Sequence, residues 1–301
     1  MMLNAKELIN RIQQEYNILH PIGEDNSHKL KSILVSMLAD FDSVAKKHEI
    51  DYILAYGSVL GAIRHKGFIP WDDDLDIYLS RDDWNKLKSI FSSEMEDKYI
   101  LEGPGYNDKL LRQTFGKIYL KGTELVEFMD MNSPYTHSIY IDIFVLDNVS
   151  ANPVVRIFDS YFARVMKFVI NSQTYYKYPN PILNKIKKTS FSTKIYFNFR
   201  ATLGFLTSFA SHTAWCNWFD EFFSRHHSKT GFLTQSSWSK EIFESSIYFP
   251  PSKGVFEGLE VNLPRNPDLY LKKSYGDDYM QLPPKEKREN HLIVSLNFGK
   301  Y

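Results

Sequence analysis

Five aspartates are the residues of this chain best placed to do chemistry. Asp72, Asp73, Asp74 and Asp76 lie between the apolar runs Phe68-Ile69-Pro70-Trp71 and Ile77-Tyr78-Leu79, and Asp142 sits inside the run Ile139 to Leu146. Acidic runs are usually solvated surface, and a single acid in a strand is usually a hydrogen-bonded structural residue. The apolar flanks argue otherwise here. Alternate side chains of a strand share a face, so a strand through this stretch turns Asp74 and Asp76 one way and Leu75 and Ile77 the other. Two carboxylates on one half-buried face repel, and each raises the other's pKa unless a cation lies between them. Oxygen ligands of this kind suit Mg²⁺ or Mn²⁺. Asp142, among Ile and Phe, is costly to bury unless it is paired or metal-bound.

Just upstream, Gly57-Ser58 follows the strand-like run Tyr52 to Ala55. Ser58 is a good N-cap for a short helix from Val59 to His65, which Gly67 would end. A helix start offers N–H groups and the positive end of a dipole, a place for phosphate. Arg64 and Lys66 follow and could clamp an anionic donor by charge. A phosphate cradle followed by an Asp-x-Asp strand is the layout of a metal-assisted phosphoryl-group enzyme.

The stretch GSVLGAIRHKGFIPWDDDLDI resembles the LicD/fukutin family, whose members carry Gly-[Ser/Thr]-Leu-Leu-Gly-x-x-Arg-x-x-x-hydrophobic-Ile-Pro-Trp-Asp-x-Asp-x-Asp. The likeness covers residues 28–150 and returns near the C-terminus. There Tyr270-Leu271, Tyr275-Gly276, Leu282-Pro283-Pro284, Arg288 and His291 follow the order of a LicD-like signature. The resemblance implies an α+β, nucleotidyltransferase-like mixed sheet with packed helices. It implies that Asp74, Asp76 and Asp142 hold Mg²⁺ or Mn²⁺, with Asp142 alternatively the base for the acceptor hydroxyl and Asp72 a further ligand or base. Asp73 breaks the alternation and is expected to face away. Lys117 is implied as a donor-phosphate contact, and His291 as part of the site or its wall.

The reaction so implied is transfer of phosphocholine from CDP-choline to a hydroxyl of a cell-surface glycan, such as a lipopolysaccharide, capsule or teichoic acid precursor. CMP would leave from the attacked β-phosphorus. Transfer of ribitol or glycerol phosphate from a CDP-polyol, nucleotidyl transfer, and a non-catalytic glycan-binding scaffold are the competing readings. A choline head group would call for aromatic rings. Trp71 and Tyr78 are adjacent, but aromatics in such positions are more often core.

These residues need elements to hold them. Leu30, Ile33, Leu34, Met37, Leu38, Phe41, Val44 and Ala45 mark one face of a helix that Asn26 or Ser27 can cap. Ser80 is expected to cap another helix, with Trp84, Leu87 and Phe91 on its inner face. Residues 3–19 read as a first helix. Leu110 to Leu120 and Leu125 to Met129 read as a hairpin through Lys121-Gly122, carrying Arg112 and Lys117. Residues 151–245 differ in character: they are aromatic and basic and read as a helical subdomain. The expected division is a catalytic core over 1–150, this subdomain, and a segment over 246–301 returning to the core. Val154 to Ile170 reads as one of its helices, with Phe158, Phe162, Val165, Met166 and Val169 on one face. His226 and His227 are taken as surface. In the last segment, Val255 to Leu263 reads as a hairpin turning at Glu257-Gly258, and Asn266 to Gly276 as a capped helix.

Composition bounds the alternatives. Thirty-six basic and thirty-six acidic side chains cancel, which argues against a nucleic-acid binder driven by bulk charge. One cysteine, Cys216, excludes an intrachain disulfide framework and fits a reducing compartment. No signal peptide and no apolar run of membrane-spanning length is visible. The expectation is a cytoplasmic protein meeting a CDP-linked donor and a glycan acceptor, with peripheral contact at the inner face of a membrane if that acceptor is lipid-linked. Nineteen Tyr and 22 Phe exceed what a core needs and suit a sugar or membrane surface.

Overall fold

The apolar spacing from Leu30 to Ala45 gives helix α1 (Glu24–Lys47), with acids in its first turn and lysines in its last. The computed structural model describes residues 23–106, 110–186, 191–235, 241–284, 288 and 293–301. The expected helix over residues 3–19 and His291 lie outside them. Gly23 holds the N-cap position of α1 and no side chain caps it, so neither Asn26 nor Ser27 has that role; both lie inside the helix.

The chain then runs β1 (Tyr52–Leu54), α2 (Tyr56–His65), β2 (Asp76–Ser80), α3 (Arg81–Glu94), β3 (Tyr99–Glu102), β4 (Gly116–Leu120), β5 (Glu124–Glu127) and β6 (Tyr140–Asn148). Ser80 caps α3 as expected, accepting the Asp83 N–H, and Trp84, Leu87 and Phe91 are buried. The main sheet has the order β1-β2-β6-β4-β3. Among the described residues only β2 and β6 run parallel; the other pairs of this sheet are antiparallel. The fold is therefore α+β with a mixed sheet.

β4 and β5 do not form the expected hairpin. Both edges of β4 are occupied, by β3 and β6, so β5 turns away at Gly122 and pairs with β11 (Ile293–Asn297). Residues 110–115 precede β4 without strand structure.

Two helices cover one face of the sheet. Phe41 of α1 meets Tyr52 edge to face, and Asp40 accepts the Tyr99 hydroxyl at 2.6 Å. Trp84 of α3 presses on Gly103 and Gly116, where an added Cβ would lie 2.7 Å from the indole. The opposite face carries the polar residues of the site.

After β6 come α4 (Pro153–Lys177), α5 (Pro181–Ile186), α6 (Phe191–Leu206) and α7 (His212–Ser224). These helices hold two small apolar cores of their own, one around Tyr175, Leu183 and Phe197, the other around Met166, Cys216 and Phe219. The face of α4 that packs inward is marked by Asp159, Ala163, Met166 and Ile170, while Phe158 and Val165 stand exposed. The expected single apolar face is in fact two: one side of α4 packs inward, and a second, with Phe158 and Val165, stands exposed. The helical run ends before residue 245: β7 (Phe232–Gln235) rejoins the main sheet beside β6, with β8 (Phe243–Glu244) next to it. His226 is not merely surface, since its Nε2 lies 2.9 Å from Asp159, which also pairs with Arg225. Arg81 fastens helices to sheet, reaching Asp147 at 2.6 Å and Asp220 at 2.9 Å.

Gly204 lets α6 lie directly on the backbone of α4: a Cβ there would stand 2.4 Å from the Ser172 carbonyl oxygen. Gly204→Ala should therefore destabilise the protein by about 1–3 kcal/mol through overpacking. Helix propensity alone would raise stability by up to about 1 kcal/mol. The urea midpoint reads the sign, and a gain would contradict this contact.

The last segment follows its sequence closely. β9 (Ser252–Phe256) and β10 (Leu259–Leu263) form the expected hairpin around Glu257-Gly258, both at positive φ, with the short helix α8 (Ser245–Tyr248) before it. Asn266 caps α9 (Pro267–Tyr275), which stops at Gly276.

Candidate active site

Strand register assembles the site. Asp76 of β2 pairs with Asp142 of β6, Asp142 with Lys117 of β4, and Lys117 with Glu102 of β3. Directly paired residues share a face, so Glu102, Lys117, Asp142 and Asp76 form one polar row across four adjacent strands. Asp76, Lys117 and Glu102 are buried. The Lys117 ammonium stands 2.9 Å from Asp142 Oδ1 and 3.2 Å from the centre of the Tyr140 ring. Burial pushes the Asp142 carboxyl above the ordinary carboxylate range; Lys117 pulls it back, and Asp74 and Glu127 push it further up. Glu127 accepts the Tyr140 hydroxyl, and Glu102 accepts the Thr136 hydroxyl.

Asp74 is not on the strand. β2 begins only at Asp76, where pairing with β6 starts, and residues 72–75 form a loop. Asp74 reaches the site through charge on Asp142 and Tyr140. Asp73 faces α1 instead, beside Leu30 and Leu34 in a small cavity. Lys31 of α1 steadies this loop by donating to the Pro70 carbonyl at 2.9 Å, with Asp72, Glu257 and Asp73 as neighbouring charges.

The turn before β2 differs from expectation. Ala55, extended, takes the N-cap position of α2, so Gly57 and Ser58 lie inside the first turn. Ser58 Oγ is used elsewhere: it accepts the Asp76 N–H at 3.0 Å and fixes the entry to β2. The Asp72 carboxylate lies against Gly57, where a Cβ would stand 2.6 Å from Oδ2. The first-turn N–H groups of Gly57 and Ser58 have no acceptor inside the helix, and the Asp72 carboxylate lies beside them. Tyr56 has φ of 42°, a left-handed conformation rare for a bulky residue. Tyr270 of α9 accepts its N–H at 3.1 Å, and Glu241 accepts its hydroxyl at 3.0 Å.

Arg64 and Lys66 are placed as braces. Arg64 donates to the Tyr279 and Gln281 carbonyls at 2.8 and 3.2 Å, holding the turn after α9 against α2. Lys66 is exposed and left-handed, and its carbonyl accepts the Glu257 N–H at 2.8 Å. Arg112 pairs with Asp130, away from the row. Tyr78 is fully buried, its hydroxyl 3.2 Å from that of Tyr270, so it is core. Trp71 carries the Arg288 guanidinium 4.2 Å from its ring centre, which brings the C-terminal signature back to the acidic loop.

Sequence reasoning missed Glu102, Glu127, Tyr140 and Lys31. Glu102 had a legible signal, an acid closing the apolar run Tyr99 to Leu101. The others join the site only through pairing and packing. Among the described residues, no three His, Cys, Asp or Glu side chains are gathered as a closed metal cage. Asp74 stands in a loop and Asp142 is held by Lys117. Magnesium does not need a cage: it commonly binds one or two carboxylates together with substrate phosphate oxygens, and Asp76 beside Asp142 could serve as such a pair.

Comparison with known proteins adds three relatives. The chain is 27% identical over 268 residues to the lipopolysaccharide cholinephosphotransferase LicD of Haemophilus influenzae, covering 87% of this chain and 94% of that protein. It is 40% identical over 57 residues to an uncharacterized protein of Rickettsia prowazekii, covering 19% of this chain and 21% of that one. A Rickettsia typhi protein matches at the same identity over 57 residues, 19% of this chain and 18% of that one. The family model described as LicD/FKTN/FKRP, nucleotidyltransferase domain, matches residues 49–200. That span holds α2, the acidic loop and all four strands of the polar row, and the chain belongs to the LicD/FKTN/FKRP family.

Proposed function

We propose that this protein transfers phosphocholine from CDP-choline to a hydroxyl of a cell-surface glycan, using Mg²⁺ or Mn²⁺. The observation that carries the reading is the row Lys117–Asp142–Asp76 beside the Asp72–Asp74 loop and the α2 N-terminus. A relative matched over 94% of its length and named a lipopolysaccharide cholinephosphotransferase supports the head group and a glycan acceptor.

The residues divide the work. Asp76 and Asp142 would hold the ion, with the Asp74 charge acting on Asp142 from the loop. Bound there, it would supply positive charge against the diphosphate and the departing CMP. The α2 N–H groups of Gly57 and Ser58 orient phosphate oxygens, and Asp72, packed on Gly57, limits where they can sit. Lys117 keeps Asp142 ionised in a buried setting, so that carboxylate can also accept the acceptor hydroxyl's proton. Arg64 and Lys66 shape the wall by holding the turn after α9 and the β9–β10 hairpin. With a lipid-linked acceptor, the reaction runs in the cytoplasm at the inner face of the membrane.

The test is donor turnover. The purified protein is incubated with CDP-choline, CDP-ribitol, CDP-glycerol and CTP, each with Mg²⁺ or EDTA. The expected result is CMP release from CDP-choline alone, abolished by EDTA. Release from a CDP-polyol would replace the head group. Pyrophosphate from CTP would replace the reaction with nucleotidyl transfer. Failure to bind any of the four would remove the donor reading and favour a glycan-binding scaffold.

A further inference from the structure

Apolar exposure in this molecule is concentrated on the helical segment. Of nineteen large apolar side chains that stand exposed among the described residues, thirteen lie between Val154 and Trp218. Val154, Ile157, Phe158, Tyr161 and Val165 recur along one side of α4, opposite its packed face. Phe191, Ile195 and Phe199 do the same on α6, and Phe209, 78% exposed, follows it. Ring contacts join the helices: Phe168 stacks on Phe199 at 6.1 Å, and Tyr176 meets Phe205 at 5.8 Å. A soluble monomer rarely leaves so many neighbouring apolar side chains in water.

Charge identifies the occupant. The whole chain is neutral, yet residues 153–219 contain nine Lys and Arg against one acid, Asp159. That acid is turned inward to Arg225 and His226. Arg164, Lys177 and Lys194 are exposed among the apolar residues. Apolar and aromatic side chains interleaved with basic ones, without acids, match an anionic lipid surface: the rings enter the interface and the cations meet headgroup phosphates. A neutral sugar would leave the charges unmet, and an acidic protein would satisfy the charges but not this apolar area. Among the described residues no helix is long and apolar enough to cross a membrane, so this surface lies on one.

We infer that the exposed face of α4 and α6 is a docking surface for an anionic phospholipid bilayer. The surface needs no donor or metal, so it stands apart from the transfer reaction. The full-length protein is tested by co-sedimentation with vesicles of phosphatidylcholine alone and of phosphatidylcholine mixed with phosphatidylglycerol. Binding is expected only to the mixed vesicles, and it should weaken with salt. Arg164→Glu with Lys194→Glu should weaken it by roughly fivefold or more per charge. Ile157→Ser with Phe191→Ser should abolish it, while circular dichroism and thermal midpoint stay near wild type because both side chains are exposed and neither makes a ring contact among the described residues. Equal binding by wild type and variants would overturn the inference. So would absent vesicle binding, whether the chain sediments as a monomer or as a dimer.

Discussion

Asp76→Asn should lower CMP release from CDP-choline by on the order of 10²–10³, the size of loss seen when one preorganised group facing transition-state charge is removed. The substitution keeps shape and removes only charge. Asp76 opens β2 with its backbone pinned at both ends: Ser58 Oγ accepts its N–H at 3.0 Å, and its carbonyl accepts the Ala55 N–H at 2.9 Å. An amide of the same size can occupy that seat. Because the substitution keeps the side chain's size and leaves both backbone bonds in place, the unfolding midpoint should stay near that of the wild type. The same variant should lose its response to Mg²⁺ in thermal unfolding. Full activity in Asp76→Asn would take Asp76 out of the chemistry and transfer its role to Asp74 or Asp72 in the loop.

Lys117→Met should be the most destabilising change in the polar row, by about 3–5 kcal/mol near pH 7.5, because it strands an ionised carboxylate in the interior. The methionine chain fills the space over the Tyr140 ring but offers no charge. Asp142 then faces Asp74 and Glu127 with nothing to offset them. The sign of the pH dependence follows. Asp142 already titrates above its unfolded value of about 3.9. Between those two values the folded state binds more protons than the unfolded one, so stability falls as pH rises through that window. Removing Lys117 moves the folded value higher and widens the window. The deficit in Lys117→Met should therefore shrink as pH is lowered toward 5, read from urea midpoints at several pH values. Adding Asp142→Asn should restore most of the stability and none of the transfer. Equal deficits at all pH values, or no rescue in the double variant, would refute the pairing.

The site was legible in the sequence where an acid broke an apolar pattern. Asp76 and Asp142 stand out for that reason, and local rules also locate α1, the Ser80 cap and the β9–β10 turn. What local rules do not reveal is which strands touch. Lys121-Gly122 has the chemistry of a hairpin turn, yet β5 leaves for β11 because β4 has no edge to spare. Lys117 is consequently a strand residue like any other until β6 is laid beside it. Glu102 is one strand further from recognition. Gly57-Ser58 misled in a subtler way. Ser58 is a good capping residue, but Asp76, eighteen positions on, uses its hydroxyl first. Two apolar faces on α4 were read as one, since periodicity cannot separate a stripe that packs from one that stays outside.

The bond from Tyr56 N–H to the Tyr270 hydroxyl spans 214 residues of sequence. Tyr56 needs it, because a left-handed tyrosine costs on the order of 1–3 kcal/mol unless its surroundings insist. During synthesis the polar row is complete once β6 has emerged, but the head of α2 has no such support until α9 follows. The nascent chain therefore holds its carboxylates in place well before the head of α2 is fixed. Contacts this far apart also make for slow folding, since distant segments must meet before either gains from the meeting. A chain cut short after residue 250 should lose the Tyr270 support of Tyr56 together with the core side chains Phe256, Val261, Leu263 and Leu271, and its urea midpoint should fall accordingly.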